Sequence, residues 1–123
     1  THTHTADNKL LYTVGRPEHF GLWINSMKAK ELGISDGDMV KVTRIDLETG
    51  RDTGRGGVTR VHVTDGIRPD TVFVVSAWGA ESEKLTVARE IEGLALNKLW
   101  PLWCDDMLPN AMTQEVLVKV KKA

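Results

Sequence analysis

Alternation of valine with polar residues marks three stretches of this chain more clearly than any other signal. Between Met39 and Ile45, Val40 and Val42 share one face while Lys41 and Thr43 share the other, the period-two pattern of a half-buried strand. From Val58 onward, Val58, Arg60 and His62 alternate with Thr59, Val61 and Val63, which predicts a second strand. Gln114 to Lys121 closes the chain in the same way, with Val116, Val118 and Val120 on one face. Thr71 to Val75 is nearly continuous in β-formers, as expected of a strand buried on both sides. Two shorter apolar runs lie upstream: Leu10 to Val14, broken by Gly15 and stopped by Pro17, and Trp23-Ile24.

Helical spacing is rarer. Asn25-Ser26 supplies an N-cap, Met27 to Leu32 are strong helix formers, and Gly33 sits where a left-handed C-terminal cap belongs. This predicts a helix of about two turns, seated on a core by Met27, Leu32 and Ile34. Glu81 to Glu92 predicts a second helix, with Leu85, Ala88 and Ile91 on one face and Gly93 as its stop. Ser35-Asp36-Gly37-Asp38 and Thr64 to Asp70 read as turns. Leu47 to Gly57, with Gly50, Gly54, Gly56 and Gly57, predicts a long mobile hairpin loop, and residues 94–113 look irregular. Residues 1–9 form a lead-in to one domain over 10–123. Six or so short strands with one early helix favour a small β-barrel over an open sheet.

Composition narrows the function classes. A chain of 123 residues, 41% hydrophobic and 27% charged, fits one compact soluble domain. Sixteen basic against seventeen acidic residues leave a net charge of -1, with no basic surplus for nucleic acid. The charges are interspersed, so no polybasic membrane patch appears, and no apolar run approaches the roughly 20 residues that span a bilayer. The polar start, Thr1-His2-Thr3-His4-Thr5, is neither a signal peptide nor a Met start, and fits a cut or processed end. A single cysteine, Cys104, excludes an internal disulfide and any Cys-based zinc or iron–sulfur site. The compartment stays open, cytoplasmic or periplasmic in a prokaryote.

Catalytic constellations are missing. No G-x-S-x-G elbow, Walker loop, G-x-G-x-x-G or H-E-x-x-H occurs. His2 and His4 read as solvated terminus and Asp105-Asp106 beside Cys104 as an ordinary loop, so no catalytic or metal residue is assigned. Binding groups are more suggestive. Gly15-Arg16-Pro17-Glu18-His19 puts a guanidinium and an imidazole past a strand end, although an exposed Arg16 paired with Glu18 is the plainer reading. Trp78, Trp100 and Trp103 are core or interface anchors, or platforms for a flat ring. Asn97 is one amide amid apolar neighbours, to be satisfied by backbone or by a polar ligand edge.

The order of these pieces carries a resemblance. Gly15-Arg16 follows a strand, and then comes Ile24 to Val42 with Leu32-Gly33-Ile34-Ser35-Asp36-Gly37-Asp38 at its centre. Val61 to Phe73 with Arg68-Pro69-Asp70, then Ala77-Trp78-Gly79, Asn97-x-Leu99 and a last valine-alternating strand complete the series. This order resembles the C-terminal domain of the DMSO reductase family of molybdopterin oxidoreductases, over roughly residues 10–121. Only eight positions separate Gly15-Arg16 from Asn25, where many family members carry a longer loop.

The resemblance implies a mainly β fold, a six-stranded double-psi β-barrel of the aspartate-decarboxylase-like type with one or two short helices. It implies that the chain encloses the guanine dinucleotide portion of a bis-molybdopterin guanine dinucleotide cofactor carrying molybdenum or tungsten. Gly15, Arg16 and His19 would approach the pterin and phosphates, Ala77, Trp78 and Gly79 would line the nucleotide wall, Asn97 would bond a ring edge, and Gln114 would precede the last strand. The partner would be the remainder of an oxidoreductase catalytic subunit, or a larger subunit with an iron–sulfur cluster, which would supply the metal chemistry. Two other readings stand beside it: the D-type subunit of formylmethanofuran dehydrogenase, and a stand-alone double-psi module that binds peptide or adaptor.

Overall fold

The computed structural model describes residues 21–76, 78–79, 81–90, 93–101 and 116–123. In chain order these form β1 (Leu22–Asn25), α1 (Ser26–Glu31), β2 (Met39–Ile45), β3 (Asp52–Thr64), β4 (Val72–Val74), α2 (Val87–Glu90), a 3-10 turn (Leu96–Lys98) and β5 (Val118–Lys122). The five strands make one sheet in the order β4-β1-β3-β2-β5. β1 runs parallel to β3, and the other pairs are antiparallel. The fold is mainly β with little helix, and its described strands form a five-stranded sheet rather than six strands closed on one another.

Alternation selects the core as expected. Val40 and Val42 are fully buried, and across β3 Thr59 and Val61 point the same way. Leu22 and Ile24 of β1 join them, with Val63, Val72, Val74, Val116, Val118 and Val120 packed alongside. Burial at this density supplies most of the favourable free energy, at about 25 cal/mol per Å² of apolar surface.

Helix α1 follows its caps closely. Asn25 Oδ1 accepts from the Met27 amide at 2.9 Å. At the other end Gly33 has φ 67°, and Ile34 N–H reaches Ala29 O at 2.8 Å while Gly33 N–H reaches Lys30 O at 3.2 Å. That pair of bonds satisfies the last carbonyls in the left-handed C-terminal motif. The seating differs from expectation: Met27 is 70% exposed and Leu32 41%, whereas Ala29 and Ile34 are buried. In so short a helix the small Ala29 lets the backbone settle on the sheet, and the two long apolar side chains flank the contact.

Three further expectations are corrected. The loop after β2 is short: Asp46 N–H bonds Arg51 O at 2.8 Å, and β3 begins at Asp52. Gly56 lies in the ladder opposite Thr43, and a Cβ placed there would stand 1.9 Å from Val42 O. Glycine here permits close strand approach, so its abundance marked a crowded strand and not a mobile loop. β4 is an edge strand with Phe73 46% exposed, so it is not buried on both sides. The helix expected from Glu81 shrinks to Val87–Glu90 among the described residues, because Leu85 closes a turn onto Ser82 and Glu81 is held by Lys98. The last strand begins at Val118 in the described residues.

The crossing from α1 to β2 is pinned against β3. Gly37 N–H donates to Val61 O and Val61 N–H to Asp38 O, both at 2.9 Å, and Asp36 Oδ1 accepts from Val63 N–H at 2.7 Å. The Asp-Gly-Asp turn thus lends β3 hydrogen bonds on the side opposite β1, beyond the end of its pairing with β2 at Arg60, as buried backbone requires. Two clefts, about 550 Å³ and about 770 Å³, separate residues 69–76 beside β4 from residues 116–120 beside β5.

Candidate functional site: a glycine-backed ledge beside the sheet

Leu94, Leu96 and Leu99 anchor the segment after α2. Leu94 and Leu99 are buried in the core, and Leu96 packs against it. Between them the chain makes a 3-10 turn in which Leu99 N–H bonds Leu96 O at 2.8 Å. Arg44 Nη1 reaches Trp100 O at 3.0 Å, fastening the end of the turn to β2. Three leucines directed inward leave Asn97 on the outside, where it is exposed. Its carboxamide bonds no described residue, so two donors and an acceptor are available outward.

The Trp78-Gly79 segment lies directly against this one. Gly79 has φ 74°, and a Cβ there would fall 2.7 Å from Gly93 C and Leu94 N. A Cβ on Gly93 would meet Trp78 Cβ at 2.5 Å and Gly79 N at 2.6 Å. The two backbones touch because neither carries a side chain. Lys98 Nζ to Glu81 Oε1, 2.5 Å, ties the segments again further along. Trp78 is 8% exposed and anchors its strand exit in the protein interior.

Of the eight residues singled out by sequence, Trp78 and Gly79 pack against Gly93 and Leu94, and Asn97 lies in the turn that follows them. Gly15, Arg16, His19, Ala77 and Gln114 lie outside the described residues, as do His2, His4, Trp103, Cys104, Asp105 and Asp106. Trp78 is buried, which suits a core anchor that supports the ledge from beneath. Asn97 is exposed, so its amide faces solvent and not the core. Gly93 was missed: it read only as a helix stop, and its contact with Gly79 spans a chain separation that leaves no local signal.

The described part of the ledge carries the Lys98–Glu81 ion pair and the outward Asn97 amide. Among the described residues no three His, Cys, Asp or Glu side chains cluster as a metal site. The carboxyls displaced below the usual range lie elsewhere: Asp38 is held by Lys122 and the Ser35 amide, Asp46 by the Thr49 and Glu48 amides, Asp52 by the Gly54 amide and Thr43, and Asp70 by Arg68. No described helix is long and apolar enough to cross a membrane.

A family model described as Molydopterin dinucleotide binding domain matches residues 1–117. The chain belongs to that family. The thiosulfate reductase molybdopterin-containing subunit PhsA of Salmonella typhimurium (strain LT2) is 36% identical over 80 residues, which cover 65% of this chain and 9% of that protein. The chain therefore spans only a small part of its relative. For a molybdopterin dinucleotide binding domain the outward amide of Asn97 is the fitting group, on a segment packed backbone to backbone through Gly79 and Gly93. A carboxamide with free donors and acceptor is what the hydrogen-bonding edge of a flat heterocycle can use.

Proposed function

We propose that this chain encloses the guanine end of a bis-molybdopterin guanine dinucleotide, with molybdenum or tungsten, inside a larger oxidoreductase. The observation that carries the proposal is the exposed Asn97, bonded to no described residue, on a turn anchored by Leu94, Leu96 and Leu99 in a chain of this family. Asn97 would pair with the ring edge. Trp78 anchors the ledge from the interior, and Gly79 lets its segment pack against Gly93, with the nucleotide wall running along it. Ala77 would continue that wall. Gly15, Arg16 and His19 would contact the pterin and phosphates, where a guanidinium matches phosphate geometry, and Gln114 would reach the cofactor before the last strand. The cofactor, when bound, supplies the redox chemistry of its metal centre. This chain's own work is to bind, orient and exclude water, and the catalytic residues belong to the remainder of the subunit or to a partner with an iron–sulfur cluster.

The same reading closes the sheet into a six-stranded double-psi barrel. The clefts between β4 and β5 are lined by Leu22, Ile24, Val42, Val72, Val116 and Val118. Leu10 to Val14, the strand expected near the start, is the apolar segment suited to fill them, since buried apolar space of this size does not stay empty in close-packed interiors.

Asn97→Ala tests the ledge in the intact protein. The expected result is a several-fold loss of releasable pterin, read by fluorescence after oxidation, with the melting temperature unchanged. Full pterin content in the variant would rule out Asn97 as a contact.

A further inference from the structure

One face of the sheet concentrates positive charge that no ion pair among the described residues neutralises. Lys41 of β2 stands directly opposite Lys121 of β5, and Lys119 stands opposite Thr43. All three lysines are exposed. Like charges in direct cross-strand register weaken a pair of strands. Lys122, on the opposite side of β5, does reach a carboxylate, Asp38 at 2.8 Å. The chain as a whole carries a net charge of -1, so this cluster is no by-product of a basic composition.

Between the lysines lies a shallow recess of about 200 Å³, lined by Lys41, Thr43, Asp52, Gly54 and Lys121. Its one carboxylate also feels Lys119 and Lys121, while Asp52 Oδ2 accepts from Thr43 Oγ1 and Oδ1 from the Gly54 amide, each at 2.9 Å, so a single negative charge stands among three lysines. Val58, opposite Lys41, is 48% exposed and Met39, two residues along the same face, is 38% exposed. Lysines on an edge strand deter stray pairing, which accounts for Lys119 and Lys121. It does not account for Lys41, because β2 has strands on both sides. Lysines are scarce in interface cores, so these would act at a charged rim around Met39 and Val58, where charge selects the partner.

We infer that this face docks a carboxylate-rich surface of the larger protein in which the domain works. Charge complementarity selects the occupant, and the chain's share of 9% of PhsA indicates how much protein can lie against it. The inference rests on the reading above only in placing the domain within a larger body. Lys41 and Lys121 would pair with Asp or Glu side chains across the contact, with Met39 and Val58 covered between them. Such pairing steers assembly and fixes register more than it adds affinity.

Zero-length carbodiimide cross-linking of the intact protein from its natural source tests this, with peptides mapped by mass spectrometry. Lys122–Asp38 and Lys98–Glu81 are internal controls, at 2.8 Å and 2.5 Å. The expected products join Lys41, Lys119 or Lys121 to Asp or Glu outside these 123 residues, and they are lost in Lys41→Glu/Lys121→Glu. Controls that link while these lysines form no such product would overturn the inference, as would links confined to Asp52. Pterin content of the same sample separates the two proposals. Links without pterin sink the cofactor reading alone, and pterin without links sinks the docking face alone.

Discussion

Asn25 does two jobs with one carboxamide. Its Oδ1 caps α1 at the Met27 amide, and its Nδ2 donates to Ile67 O at 2.8 Å, so the helix start and a distant turn share one buried side chain. Asn25→Ala should cost about 2 kcal/mol, from the lost cap and an orphaned carbonyl, seen as a lowered urea midpoint with unchanged slope. Gly79 should behave differently from Asn97. Gly79→Ala forces a Cβ into Gly93 at positive φ, so stability should fall by about 1–3 kcal/mol; an unchanged midpoint would mean that the two backbones do not touch. Asn97→Ala should stay within about 0.5 kcal/mol of the parent, as exposed positions do. At this scale the sequence was a good guide where a residue's role is local. Asn25 and Gly33 were legible as caps because their partners lie within a few positions. The Gly79–Gly93 contact was not, because only the folded chain brings those positions together.

Elements were legible in proportion to how fully one face is buried. β2 emerged with both ends right because Val40 and Val42 are completely buried and their neighbours are polar. β3 was truncated in expectation because its first half is glycine and polar, patterns that local propensity assigns to a loop. Tertiary pairing with β2 overrides that preference. Gly56→Ala checks this account: the added methyl meets Val42 O, so the β2–β3 ladder must open locally. Amide exchange of β2 and β3 should accelerate in the variant while α1 keeps its protection. Unaltered exchange would show that the crowding at Gly56 is absent. Helical periodicity misled at Glu81 to Thr86, where side-chain contacts across segments, above all Glu81 to Lys98, displaced a weak local preference.

The whole molecule carries its acidic groups in turns and strand ends that depend on their charge. Asp38, held by Lys122, Asp46, held by backbone amides, Asp52, held by Gly54 and Thr43, and Asp70, held by Arg68, all have carboxyls below the ordinary value. A depressed folded value means that the unfolded chain binds more protons, so stability rises with pH across this range. The contribution is complete above the ordinary Asp value of about 4 and is lost as pH falls through the lower folded values. The melting temperature should therefore hold near neutrality and drop steeply below that point, and Asp38→Asn should flatten part of the drop. A melting temperature that rises on acidification would contradict these assignments. Family membership was legible at this scale from the order of motifs along nearly the full chain, which a single site could not have supplied.

Releasing and identifying what the purified intact protein holds tests the central claim most directly. Oxidation followed by hydrolysis of the pyrophosphate bond should yield a fluorescent pterin together with guanosine monophosphate, in equal amounts. Protein that releases neither, and carries a bound peptide instead, would contradict it.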